Sequence, residues 1–218
     1  MLAAASELFA EKGFHGAKVR DIALRAGVNL AAGHYHYGSK RDLYVEVFRE
    51  QFGHIRSRLE SGGGNTTAHE LRRMSREELR ALMRARIAIM VEVLVGESND
   101  VHARLMQREA TDPSEALPVI VREFIVPLVE DMRRIIAHVR PELNAKEVEL
   151  VTYSVAGEVH FYRLMRPVIL SMKGLREYSG AFLRDVVDHV YEFALGGMER
   201  LAQRSGSRAA AGRRRVAG

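Results

Sequence analysis

Between Lys18 and Arg41 the chain sets five cations (Lys18, Arg20, Arg25, Lys40 and Arg41) against one acid, Asp21, a local balance of +4. Inside that window lies a run of low bulk, Leu30-Ala31-Ala32-Gly33, followed by His34, Tyr35 and His36. Cations beside a nearly side-chain-free segment suit a polyanion whose base edges must be approached closely. Small residues let the backbone and methyl groups reach a groove floor, while donors at the rim meet phosphates. Leu and Ala can touch thymine methyls, and Arg20 can reach a phosphate or a guanine edge. On charge alone, the same cations also fit a solvated basic face. His34 and His36 stand two apart and do not share a helical face, so no metal site is expected there.

These residues need short helices to position them, and the spacing supplies them. Apolar residues recur at helical intervals along nearly the whole chain without sustained alternation, so the expected fold is all-α. A first helix covers about Leu2 to Lys12, with Gly13 in a left-handed C-cap and Phe14 packing back on it. A second spans about Val19 to Arg25 and turns at Gly27. A third covers about Leu30 to Tyr37, with Asn29 as its N-cap and Gly38 ending it. Ser39 caps a long fourth helix that reaches about Leu59. Helix, turn, short helix, glycine turn and short helix is the layout of a helix-turn-helix reader of DNA.

Ser61 to Thr67 (SGGGNTT) reads as a flexible connection. Helical segments are expected beyond it near Arg76–Val95, Asp100–Ala110, Ala116–Val139 with a break at Pro127, Ala145–Leu170 and Tyr178–Ala202. The last sixteen residues carry Arg204, Arg208, Arg213, Arg214 and Arg215 with no acid. Removing those five from the 33 basic residues leaves 28 against 28 acidic ones, so the rest of the chain is neutral. The expected division is therefore a helix-turn-helix domain over 1–45, a larger helical ligand-binding and dimerisation domain over 46–203, and a basic disordered tail over 204–218.

Several classes are disfavoured. The chain has no cysteine, which removes disulfides, thiolate zinc sites and cysteine nucleophiles. No G-x-S-x-G elbow, H-E-x-x-H, P-loop or dinucleotide fingerprint occurs, so an enzyme is not expected, nor is a cofactor. No apolar run approaches a membrane span and no signal peptide precedes the first helix, so a cytoplasmic protein without a membrane partner is expected. A helical protein-interaction module is the remaining alternative to a DNA reader.

The ordered set Ala4-Ala5, Leu8-Phe9, Gly13-Phe14, Val19-Arg20-Asp21-Ile22-Ala23, Ala26-Gly27-Val28 and Tyr35-His36-Tyr37-Gly38-Ser39-Lys40 resembles the N-terminal domain of the tetracycline-repressor (TetR) family. The resemblance implies a ligand-responsive transcriptional regulator, a repressor by the family's habit. It implies that Asn29, Leu30, Ala31 and Ala32 face bases with Arg20 contributing, that His34, Tyr35 and Lys40 hold phosphates, and that His36 and Tyr37 pack inward. Two features depart from the pattern. Ala17 and Lys18 stand where the family often carries Thr or Ser, which leaves the second helix without its usual cap, and His34 stands where an aromatic residue or Asn is commoner. The chain also begins inside the first helix, so an N-terminal basic arm is not expected. Arg108-Glu109-Ala110-Thr111-Asp112-Pro113 and Val159-His160-Phe161-Tyr162-Arg163 look like the subgroup represented by CecR.

By the same resemblance the remaining helices bind a small effector and form a homodimer on palindromic double-stranded DNA, with the fourth helix (Glu46 to Leu59) as the lever that releases it. Arg86, Met90, His102, Met106, Glu109, Phe124, Leu128, Tyr162 and Arg163 are the candidate effector contacts, an apolar wall with a few polar groups. Val151, Val155, Phe182, Val186, His189, Val190, Phe193 and Gly197 form apolar stripes on the last two long helices and are the candidate dimer interface.

Overall fold

The computed structural model describes residues 1–29, 37–61, 66–96 and 100–216. Among them every regular element is a helix. We number them α1 (Leu2–Gly16), α2 (Val19–Ala26), α3 (Lys40–Ser61), α4 (Ala68–Arg73), α5 (Arg76–Val95), α6 (Asp100–Thr111), α7 (Leu117–Ile120), α8 (Val126–Val139), α9 (Ala145–Leu164), α10 (Arg166–Lys173) and α11 (Gly180–Val216). The third helix of the reader, with Leu30, Ala31, Ala32, His34, Tyr35 and His36, lies outside the described residues.

The chain packs as two compact units that do not follow its linear order. The first joins Met1–Arg58 to Glu97–Leu128, so α6 and α7 pack with the N-terminal helices although the linear reading puts them in the sensor domain. The second joins Leu59–Gly96 to Val129–Gly218.

The core of the first unit is aromatic. Tyr44, Phe48 and Phe52 recur every fourth residue and therefore share one face of α3. Tyr44 packs edge-on against Phe9 (centroids 4.7 Å apart) and against Phe48 (5.0 Å), and Phe52 stacks on Phe124 at 5.1 Å. Offset and edge-on rings of this kind add about 0.5–1.5 kcal/mol per pair beyond their burial. The second unit buries a conventional aliphatic core in which Met83, Ile87 and Val91 of α5 meet Ile135 and Ile136 of α8, Val155 and Val159 of α9, and Val190 and Met198 of α11.

Reciprocal caps start several helices. Thr67 with Glu70, Ser75 with Glu78, and Asn144 with Glu147 each form a capping box. The first of these starts α4, a short helix between the expected connection over Ser61–Thr67 and the segment expected near Arg76.

Proline explains two further differences. Pro127 has no amide to donate to the Glu123 carbonyl, so the chain widens into a π turn over Val121–Ile125, closed by the Val126 amide on Val121 O. Pro167 likewise cannot continue α9. The expected Ala145–Leu170 helix therefore splits at Met165, where ψ is 7°. At the C-terminus α11 is described as far as Val216, beyond the boundary at 204 that the sequence suggests for the tail.

Candidate DNA-reading face and regulatory helices

α1 and α2 carry the reader. Gly13 has φ +71°, as expected of a turn, but its ψ of 175° is extended, so it kinks α1 instead of forming a left-handed cap. The kink turns Phe14 under the helix, where its ring lies 5.0 Å from Tyr44. Ile22 and Ala23 of α2 are buried, while Lys18, Arg20 and Leu24 face outward. Lys18 is the N-cap of α2 and makes no side-chain cap bond, as the missing hydroxyl implies. α2 closes on Gly27, whose amide donates to the carbonyls of Ala23 and Leu24. Asn29 follows, exposed, at the edge of residues 30–36, which lie outside the described residues.

The cations of this window divide. The Arg20 side chain is 80% exposed, with Asp21 3.9 Å from its Nε, so it remains available to a ligand. Arg25 is committed to the protein itself, donating two hydrogen bonds to the Glu11 carboxylate and lying 3.6 Å from Glu7. Lys40 folds back on α1. Its Nζ sits 4.5 Å from the Phe14 ring centroid and 3.5 Å from the His15 carbonyl, and burial lowers its pKa despite the pull of Glu115. Tyr37 is half-buried. Gly38 (φ +67°) makes the turn into α3, and a Cβ there would come within 3.2 Å of the Asp42 carboxylate. That carboxylate accepts the Ser39 amide (3.1 Å) and hydroxyl (2.6 Å), and Ser39 Oγ accepts the Asp42 amide in return. These bonds hold the Asp42 carboxyl below its usual pKa.

The corner between α6 and α7 grips both helices that flank the reader. Arg108 Nη2 donates to the Glu11 carbonyl at 2.7 Å, and His15 Nε2 lies 3.3 Å from the Pro113 carbonyl. Glu109, 1% exposed, accepts the Tyr44 hydroxyl at 2.9 Å and the Ser114 amide and hydroxyl at 3.0 and 2.9 Å. Burial and the Glu109 charge push the Tyr44 phenol well above its ordinary pKa. The Arg108–Pro113 stretch singled out in the sequence thus works as a clasp, a role that a linear motif does not disclose.

The nine candidate effector contacts fall in both units. His102, Met106, Glu109, Phe124 and Leu128 belong to the first; Arg86, Met90, Tyr162 and Arg163 belong to the second. Six of them are engaged in packing. Glu109 serves the clasp, Phe124 and His102 pack on Phe52, and Arg86 donates from Nε to Asp131 Oδ2 at 2.9 Å, both side chains being almost fully buried. Met90 and Tyr162 pack half-buried against the second unit's core. Met106, Leu128 and Arg163 are half-buried.

The candidate dimer residues divide in the same way. Val151, Val155, Val186 and Val190 point into the second unit's own core, with Phe182 packed against it. The outward faces of α9 and α11 carry Leu150, Tyr153, Phe161, Leu164 and Phe193, each more than half exposed. Periodicity located apolar stripes but could not say which one turns inward. His189, Phe193 and Gly197 do lie outward, and with Glu158, Phe161 and Tyr162 the first two of these line a shallow cleft.

Among the described residues no cluster of metal-ligating side chains occurs and no helix is long and apolar enough to cross a membrane.

A helix pair with an exposed cationic face, followed by a larger helical unit, is the build of a DNA-binding regulator. Residues 1–47 match the model of "bacterial regulatory proteins, tetR family", and residues 75–198, more than half of the chain, match that of the C-terminal domain of the "HTH-type transcriptional dual regulator CecR". The chain belongs to the TetR family of transcriptional regulators, in the group that carries the CecR C-terminal domain. It is 28% identical to CecR of Shigella flexneri over 188 residues, which cover 80% of this chain and 78% of that one. Its fold is similar to that of the regulator FadR from Bacillus subtilis, solved with stearoyl-CoA (TM-score 0.64, 19% identity, 90% and 96% of the two chains). It is also similar to that of AibR, solved with isovaleryl coenzyme A and operator DNA (TM-score 0.62, 13% identity, 88% and 94%).

Proposed function

We propose that this regulator binds a palindromic operator as a homodimer, chiefly as a repressor, and that a small acidic effector of the acyl-thioester class releases it. The carrying observation is the exposed Arg20 face of α2, delivered by helices that bury everything behind it. Arg20 is the described residue placed to read a base edge. Asn29, Leu30, Ala31 and Ala32 complete the reading surface, and Lys40, His34 and Tyr35 serve phosphates. Because Lys40 lies on Phe14, it meets a phosphate close to the end of α1.

In this reading the second copy packs on the outward faces of α9 and α11, giving a four-helix interface and half-sites roughly 34–36 Å apart. Met90, Tyr162 and Arg163, half-buried in the second unit, are the effector contacts that this reading retains, whereas Met106 and Leu128 belong to the first unit. The acyl-thioester class rests on the ligands of FadR and AibR, whose folds this chain shares. To act, the effector must bind the released conformation better than the DNA-bound one, and the α6–α7 clasp is the element we take it to bias.

Selection of bound duplexes from a random pool, followed by titration of acyl-CoA esters of graded chain length against the selected site, tests the proposal. A palindromic consensus whose affinity falls steeply with salt, and whose complex is dissolved by one ester, is the expected result. Equal affinity for all duplexes would overturn the operator reading, and indifference to every ester would overturn the effector class.

A further inference from the structure

We propose that the corner formed by the end of α9, α10 and the start of α11 is a binding site for a phosphorylated ligand head, the nucleotide end of a coenzyme A thioester. This inference rests on the effector reading above and assigns the part of the ligand that the acyl contacts leave open.

The corner is a second cationic window. From Val159 to Asp185 it carries Arg163, Arg166, Lys173, Arg176 and Arg184 against Glu177 and Asp185, five cations to two acids and a balance of +3. Its first part, Val159 to Arg176, holds four of the cations and no acid. Lys173, Arg176 and Arg184 are exposed and form no ion pair among the described residues, whereas Arg84 and Arg140 of the same unit are paired with Asp188 and Glu199. Cations gathered without carboxylates to neutralise them repel one another, and an anion from solution relieves that repulsion.

Aromatic rings bring these cations together. Arg166 and Lys173 stand seven residues apart and therefore share a face of α10. The Arg166 guanidinium lies 5.6 Å from the Tyr178 ring centroid, and Lys173 Nζ lies 5.4 Å from that of Phe182. Tyr178 and Phe182 have their centroids 4.8 Å apart, Phe182 lies 6.1 Å from Tyr162, and the Tyr178 hydroxyl donates to the Tyr162 carbonyl at 3.1 Å. Arg184 turns back toward the start of α11, where a Cβ added at Gly180 would lie 3.7 Å from its Nη1. The ring contacts restrict Arg166 and Lys173 before any ligand arrives, so less side-chain freedom is lost on binding.

Two observations choose a coenzyme A head as the occupant. Tyr162 and Arg163, the effector contacts retained above, stand at this corner, so a thioester lying against them reaches the cations next. The cations also surround one helix corner instead of lining the length of a helix, which matches the clustered phosphates of a nucleotide better than the extended backbone of a duplex. The operator-reading residues Arg20 and Lys40 belong to the other unit. Lysine and arginine bonds to phosphate are charge-assisted, so few are needed for a strong effect.

Calorimetric titration of the full chain with acyl-CoA esters of graded chain length, and with pantetheine thioesters of the same acyl groups, tests the site. The pantetheine thioesters keep the acyl chain and lack the nucleotide. The parent should bind its best CoA ester at least about tenfold more tightly than the matching pantetheine thioester. Lys173→Gln, Arg176→Gln and Arg184→Gln combined should weaken the CoA ester at least about tenfold and change the pantetheine thioester and the operator by less than about threefold. Lys173→Arg, Arg176→Lys and Arg184→Lys combined keep every charge and should restore most of the lost affinity. A glutamine variant that loses less than tenfold for the CoA ester, or loses the pantetheine thioester equally, overturns the site and leaves the effector class standing. A parent that binds no ester overturns both. A fall in operator affinity and salt slope, with ester binding unchanged, would assign the cations to DNA and also overturn the site.

Discussion

The Tyr44 hydroxyl donates to Glu109 Oε2 at 2.9 Å, across sixty-five residues of sequence, with both groups buried. It ties α3, the helix that leaves the reader, to the corner that also holds α1. Tyr44→Phe leaves the ring packing intact and deprives a buried carboxylate of one donor, so it should cost about 1–3 kcal/mol in denaturant unfolding. Glu109→Gln should cost a similar amount, and the double variant should cost less than the two losses added. Additive losses would show that the two groups are not coupled.

Arg20 and Lys40 should separate in DNA binding. Arg20→Ala should cost about 1–3 kcal/mol and relax the preference at one base pair of each half-site, if the guanidinium is bidentate to guanine. Lys40→Met should weaken all duplexes alike and lower the slope of log affinity against log salt by about one. Fluorescence anisotropy across a salt series with operator variants distinguishes the two. A uniform loss for Arg20→Ala would move that residue to the backbone.

Val190 and Phe193 lie three residues apart on α11 with opposite fates, the first fully buried and the second 64% exposed. Val190→Ala should lower unfolding stability by about 1–3 kcal/mol through the cavity it leaves. Phe193→Asp should spare the fold but shift the oligomer toward monomer in sedimentation, because it places a charge on the proposed contact face. Unchanged oligomeric state would remove Phe193 from the interface.

Arg86 and Asp131 are an ion pair inside the aliphatic core of the second unit. Arg86→Met leaves the buried Asp131 carboxylate with Arg134, 3.4 Å away, so Arg86→Met or Asp131→Leu alone should cost at most about 3–5 kcal/mol, while the double replacement should recover most of the loss. Thermal melts of the three variants settle this, and failure to recover would mean that other partners of Arg86 dominate.

Asp42 gives a pH dependence with a definite sign. Its folded pKa is lowered below 3.8 by the Ser39 amide and hydroxyl, so its contribution is present above the ordinary value and fades as pH falls through the folded one. Ser39→Ala should therefore destabilise the protein by about 1 kcal/mol at neutral pH, with the gap closing in acid. Urea midpoints at neutral and strongly acidic pH check it, and a constant gap would refute the cap.

By itself the sequence determined the all-helical class, the glycine turns at Gly27 and Gly38, the Ser39 cap and the cationic character of the reader, because each depends on neighbours within about four residues. The capping box at Thr67 and Glu70 is equally local. Which face of an apolar helix turns inward is not local: Val190 and Phe193 are alike in sequence, and only the packing of α9 and α5 against α11 made one core and the other surface. Nor could spacing separate a ligand contact from a clasp. Glu109 is a polar residue on an amphipathic helix in either case, and it became a clasp because folding brought Tyr44, sixty-five positions away, within hydrogen-bonding distance of its buried carboxylate.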